Sequence, residues 1–370
     1  MRIFKVTILN IFFLLLMLEG FSFVYFQLGL SISNYKPSYM SKAHDTESQW
    51  MTEYNDWGAW HKINGRANKE RRCFGVDLIA NSYGARDKER QKSSKDNRVV
   101  VLGDSFVEGY GVDQAKRFTD LLEAQSGVEY LNFGASGNFG PLQYSILYRD
   151  LARQFDHEQV VVAILPDNDF TDNDEVYWQK NDPKSYNLRY RPYWKKTSDG
   201  FETLYSVAKP TQEVTFAHYR KKATQGPSLK SKIQRYFWSY GVYREVRYIS
   251  RGATLKAGTY SGYFDATQEQ IESAKFYIKE IQSLAKGKRV SFFTIPRLAD
   301  LKRLPSEKSD MVDQFKAFAI ENDINYIDLA PYMSAAVKDV FSLFLPCDGH
   351  WSPLGHKVAA DILKKQLALP

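Results

Sequence analysis

From about residue 97 onward, short apolar runs alternate with stretches of helical periodicity, and this limits the fold more than any other feature. Segments 98–102, 128–132, 159–165, 289–295 and 325–329 read as strands. Segment 159–165 is apolar throughout, as expected of a strand covered on both faces. Segments 114–126, 141–155, 267–285, 306–321 and 353–367 read as helices, two of them opened by Pro141 and Pro353. Such alternation predicts an α/β fold, a three-layer sandwich with a central parallel sheet and right-handed crossovers. The pattern lapses over about 170–262, which is rich in Tyr, Trp, Lys and Pro and reads as an inserted cap.

The amino terminus obeys another rule. Residues 3–30 are apolar around the whole helix circumference and long enough to cross a bilayer. Arg2 and Lys5 precede the run, so the N-terminus is expected in the cytoplasm and the rest outside, in a periplasm if the cell is bacterial. Glu19 interrupts it, and a carboxylate at that depth needs a proton or a partner. The run is long for a signal peptide and no small-x-small cleavage site follows. The expected organisation is a transmembrane anchor at 1–32, a polar, irregular lead-in packed on the main domain at 33–94, and one domain at 95–370.

In the 370-residue chain, 44% hydrophobic and 25% charged residues exclude wholesale disorder. The formal charge of +7 is spread out, densest over 219–256. No finger, RRM or helix-turn-helix pattern accompanies it, so nucleic acid is not an expected partner; an anionic glycan or lipid headgroup is. Aromatic residues reach 15%. Tyr177, Trp178, Tyr186, Tyr190, Tyr193 and Trp194 could stack on sugar rings or simply pack the cap. Cys73 and Cys347 lack metal-ligand spacing and can pair only in an oxidising compartment.

Four loops at predicted strand ends carry chemistry-bearing residues. Gly103-Asp104-Ser105 follows the first strand, where ligands bind in open α/β sheets. Ser105 can open a helix and offer its backbone N–H to an oxyanion. Asn132-Phe133-Gly134-Ala135-Ser136-Gly137-Asn138 follows the second strand. Pro166-Asp167-Asn168-Asp169 follows the third, and an amide there can donate to an oxyanion. Cys347-Asp348-Gly349-His350-Trp351 precedes the last helix. A serine hydroxyl needs a base, and His350, oriented by Asp348, is the candidate. His356, within the last helix, reads as structural. Each loop alone is ordinary turn or capping chemistry. Together they offer nucleophile, oxyanion donors and base in one cleft.

The order Gly103-Asp104-Ser105, Gly137, Asn168 and Asp348-x-His350 resembles the SGNH hydrolase superfamily, also called GDSL esterases, over roughly 97–169 and 289–370. The resemblance implies a flavodoxin-like sheet of about five parallel strands. It implies a catalytic set of Ser105, His350 and Asp348, and an oxyanion hole of the Ser105 N–H, the Gly137 N–H and the Asn168 amide. No cofactor or metal is implied. Two features depart from the common pattern. The usual Asp-x-x-His is here Asp348-Gly349-His350, followed by Trp351, which is similar to periplasmic proteins that O-acetylate exopolysaccharides such as alginate. The usual glycine before Asn-Asp is absent at 167–169. Asn81-Ser82-Tyr83-Gly84-Ala85-Arg86-Asp87 resembles a lead-in of membrane-anchored members.

The expected activity is that of a serine esterase on an acylated carbohydrate or lipid ester, or an O-acyltransferase to a sugar hydroxyl. A non-catalytic glycan-binding module is a further reading, which the retention of Ser105, Asp348 and His350 argues against. A metal-dependent hydrolase built on Asp167, Asp169, Asp172 and Asp174 is weaker, since no histidine lies among them.

Overall fold

A computed structural model describes residues 2–31, 37, 39, 50–71, 73–210, 229–253 and 260–367. Helix α1 (Arg2–Gln27) contains the apolar stretch Phe4–Gln27, with a mean hydropathy of 2.0, long and apolar enough to cross a membrane. The lead-in is more regular than its composition suggests. Strands β1 (Met51–Asn55) and β2 (Gly58–His61) form one antiparallel hairpin, and β3 (Arg66–Glu70) and β4 (Gly75–Ile79) another. Their polar outward positions hide the alternation: in β4 only Val76 and Leu78 are buried. Trp50, Trp57 and Trp60 are all buried against the main domain or its loops.

The central sheet holds β5 (Arg98–Gly103), β6 (Glu129–Gly134), β7 (Gln159–Ile164), β10 (Arg289–Thr294) and β11 (Asn325–Asp328); β8 (Pro192–Thr197) and β9 (Gly200–Tyr205) form a separate hairpin in the insertion. The sheet is parallel throughout, in the order β6-β5-β7-β10-β11. This is the flavodoxin-like strand order. Val99, Val100, Val160, Val162 and Phe292 have no exposed surface, as two covered faces require.

Handedness decides which helix lies where. The chain moves from β5 outward to β6, then reverses to reach β7 and continues to β11. With right-handed crossovers, the first connection lies on one face and the later ones on the other. Accordingly α3 (Phe118–Ser126) packs with the last helix, while α4 (Pro141–Asp150) packs with the helix that precedes β10. The insertion supplies α5 (Asp169–Asp172), α6 (Glu175–Asn181), α7 (Pro183–Leu188), α8 (Leu229–Gln234) and α9 (Trp238–Ala253). It is followed by α10 (Gln268–Ala285), α11 (Asp310–Glu321), α12 (Leu329–Ala336) and α13 (Pro353–Gln366). The short helix α2 (Ser105–Glu108) directly follows β5.

Several expected boundaries move for local reasons. The helix expected over 114–126 is a 3-10 turn, Gln114–Lys116, then α3, because Arg117 between them is extended. The helix expected from 306 starts at Asp310, where the Ser309 hydroxyl accepts the Val312 N–H. Leu329 leaves the last strand to open α12, capped by Asp328.

Candidate active site

The strand order reverses between β5 and β7, which opens a crevice at their carboxyl ends. Ser105 leaves β5 at this crevice and Asn168 follows β7. Asp104 caps α2, its carboxylate accepting the Phe106 N–H at 2.9 Å. The Ser105 Oγ lies 2.7 Å from His350 Nε2, although the two residues are 245 apart in sequence. The other ring nitrogen, Nδ1, is hydrogen-bonded to the Asp348 carboxylate. Burial pushes the Asp348 carboxyl up, but the His350 hydrogen bond, the His350 charge and Lys69 together outweigh it and hold it below the ordinary value. Asp348 therefore stays ionised, and fixes the imidazole with Nε2 directed at the hydroxyl.

Aromatic rings hold the imidazole from its faces. Tyr110 stacks on His350 at 4.5 Å between centroids, and Phe106 lies at 4.8 Å. The Lys69 ammonium sits 3.3 Å above the Tyr110 ring. Lys69 comes from β3, and the disulfide Cys73–Cys347 ties that hairpin to the residue before Asp348.

The two loops expected to complete an oxyanion hole are each bound to a carboxylate. Gly137 has φ +102, a conformation that a side chain would strain. Its neighbour Ser136 donates its N–H to Glu108 at 2.6 Å, and Glu108 ends the helix that Ser105 begins. Trp50 donates to the same carboxylate at 3.2 Å. On the other side, Asn138 donates to Asp172 at 3.1 Å and Asn168 donates to Asp172 at 2.9 Å. The Asn168 amide thus leans on the Asp172 carboxylate. Burial pushes Asp172 up to about 7 and Asp104 up to about 6. Protonation of Asp172 weakens its hold on the Asn168 amide.

Glu108, Tyr110 and Lys69 were not singled out by sequence reasoning, since none sits within a recognisable motif, and Asp172 was considered only as one of four metal ligands. Arg86 was inside one, but without a role. Its buried guanidinium donates to the carbonyls of Glu108 at 3.0 Å, Gly109 at 2.7 Å and Val112 at 2.9 Å, fixing the chain just after α2.

His356 sits apart from this chemistry. It is buried, stacks parallel to Phe118, and accepts the Phe118 N–H at 3.3 Å. The four aspartates considered as metal ligands turn to protein donors instead. Asp167 pairs with Arg297, and Asp169 accepts Tyr144 at 2.9 Å. Asp172 takes the two asparagines, and Asp174 caps α6. Among the described residues, no three His, Cys, Asp or Glu side chains converge to hold a metal. Of the aromatic residues considered for sugar stacking, Trp178, Tyr190, Tyr193 and Trp194 are buried, and Trp194 packs on Phe201 at 5.4 Å. Only Tyr177 and Tyr186 keep intermediate exposure.

No family model matches the chain, and no curated protein does. Solved structures similar to it include a member of the lipolytic G-D-S-L family from Veillonella parvula, at 13% identity and a TM-score of 0.38, covering 72% of this chain and 96% of that one. A catalytic mutant of an acetylxylan esterase from Geobacillus stearothermophilus is similar at 12% identity and a TM-score of 0.38, covering 76% and 98%. A lipase/acylhydrolase from Enterococcus faecalis is similar at 12% identity and a TM-score of 0.35, covering 74% and 98%.

Proposed function

We propose that the chain is a membrane-anchored serine esterase acting on an acylated carbohydrate or lipid ester outside the cytoplasm. The observation that carries this reading is the 2.7 Å contact of Ser105 Oγ with His350 Nε2, with Asp348 on the far ring nitrogen. Ser105 Oγ attacks the acyl carbonyl while His350 Nε2 takes its proton. Asp348 stabilises the imidazolium. The backbone N–H groups of Ser105 and Gly137 and the Asn168 amide receive the oxyanion. His350 then protonates the leaving alcohol, and an acyl group remains on Ser105. Water activated by His350 completes hydrolysis; a sugar hydroxyl in its place makes the same centre an O-acyltransferase, the activity suggested by the Asp-x-His-Trp spacing. Placement outside the cytoplasm is supported by the apolar α1 and by the Cys73–Cys347 disulfide, which persists in oxidising compartments.

The test is mass spectrometry of the protein after exposure to a generic acetyl ester. An acetyl group on the Ser105 peptide is expected, together with a loss of turnover in Ser105→Ala of about a thousandfold or more. Equal rates in the two proteins sink the reading. Transfer of the trapped acetyl group to an added oligosaccharide, rather than to water, identifies a transferase.

A further inference from the structure

The interruption in the apolar helix has a partner in the insertion. Glu19 accepts the backbone N–H of Trp238 at 2.5 Å and of Ser239 at 3.0 Å, the first N–H groups of α9. Trp238 packs on Phe23 at 5.5 Å and on Phe26 at 5.4 Å. Further along, the buried Glu245 accepts the Tyr25 hydroxyl at 2.7 Å and that of Ser31. The two helices therefore run in the same direction, from the level of Glu19 to just beyond the end of α1.

Depth follows from helix geometry. From Glu19 to Gln27 is about 12 Å of helix, and half of a hydrocarbon core is about 15 Å. If α1 crosses a bilayer, the start of α9 lies inside its outer half. Backbone N–H groups cannot be left without acceptors there, and a lone carboxylate is equally unfavourable. The Glu19–α9 contact removes both problems at once. The surface around it suits lipid: Ile233 is 54% exposed, Tyr236 56%, Phe237 48%, Tyr243 55% and Val246 59%. Arg244 and Arg247 follow on the outer part of α9, with Arg244 5.9 Å from the Tyr240 ring. Aromatic residues followed by arginines are the residue types of a membrane–water boundary.

We propose that α8 and the first turns of α9 enter the outer leaflet beside α1, keyed to it by Glu19, with Arg244 and Arg247 at the level of anionic headgroups. This rests on α1 crossing the membrane. The test uses the full-length protein in vesicles of phosphatidylglycerol and phosphatidylethanolamine. Spin labels go on Tyr236→Cys, Leu15→Cys and Ile320→Cys, one at a time; the two native cysteines are already bonded to each other. Leu15 reports the anchor, and Ile320, 83% exposed on α11, reports water. Labels at 236 and 15 are both expected to favour oxygen over a water-soluble nickel chelate, and the label at 320 the reverse. A water-like label at 236 with a lipid-like one at 15 overturns the proposal and leaves the anchor intact. Water-like labels at both positions overturn the anchor reading, and the proposal with it. A label at 236 shielded from both reagents puts protein there and also overturns it. Glu19→Leu is expected to shift the 236 label toward water while Glu19→Gln, which keeps an acceptor, does not; an unchanged label in Glu19→Leu overturns the keying role.

Discussion

Two histidines on the same stretch of chain have opposite surroundings. His350 stands at the crevice between Ser105 and Asp348. His356 is enclosed, and burial, with the positive charge of Arg117 next, pushes its pKa down to about 3. It folds as the neutral imidazole, whereas in the unfolded chain it titrates near its ordinary value of 6.5. Between those values the unfolded state binds the extra proton. The stabilisation is thus fully present above 6.5 and is lost as pH falls through the window toward 3. A shift of this size corresponds to a few kcal/mol at most, on the scale of about 1.4 kcal/mol per pKa unit. His356→Gln, which keeps an acceptor for the Phe118 N–H, is expected to melt lower at neutral pH but to lose less on acidification to about pH 4. Parallel melting curves for the two proteins across that range would exclude the effect. Ser105, Asp348 and His350 could be picked out in the sequence because the ester chemistry proposed for them admits few residue types and the chain has only six histidines. The loop-holding roles of Glu108 and Asp172 could not, since a carboxylate that holds a loop looks like any solvated carboxylate until the loop is seen.

At the scale of elements, the sheet strands were legible because burial on both faces leaves almost unbroken apolar runs, as in Val99–Val101 and Val160–Val162. The lead-in hairpins were not, because one face of each is polar and the strands are only four or five residues long. For most of the insertion's aromatic residues the packing alternative holds: Tyr193 and Trp194 lie on opposite faces of β8, the first packed on Tyr186 of α7 and the second on Phe201. What places Ser105 is the close approach of α2 to the end of β6. A Cβ on Gly134 would lie 2.2 Å from the Glu108 nitrogen and 2.5 Å from the Val107 carbonyl carbon. Both are backbone atoms, so α2 itself must move. Gly134→Ala is expected to cost about 1–3 kcal/mol in urea unfolding. It should also lower ester hydrolysis in the protein that remains folded, because α2 carries both Ser105 and Glu108. Unchanged unfolding and unchanged turnover together would mean that α2 has room to shift.

Across the whole molecule, the proposed catalytic centre joins the first sheet strand to the end of the chain, and one covalent link joins the lead-in to the same region. The Cys73–Cys347 bridge spans 274 positions. Its pairing could not be read from two cysteines alone; it exists because the β3–β4 hairpin and the loop before α13 meet beside the crevice. A cross-link over so long a loop acts mainly on the unfolded chain, removing conformations it would otherwise explore, with a typical effect of about 2–5 kcal/mol. Here it has a local consequence as well. Cys347 immediately precedes Asp348, and the hairpin bearing Cys73 also carries Lys69, whose ammonium lies over Tyr110 and so behind His350. The double variant Cys73→Ser, Cys347→Ser is therefore expected to melt lower by an amount matching that range, and to turn over ester more slowly at temperatures where it is still fully folded. The two effects separate in one experiment, with turnover followed from well below the melting transition upward. If the variant works at the full rate until it unfolds, the bridge acts only on the unfolded chain, and the loop holding Asp348 is positioned by packing alone. If its rate is reduced at every temperature, the bridge also helps to hold Asp348 against His350.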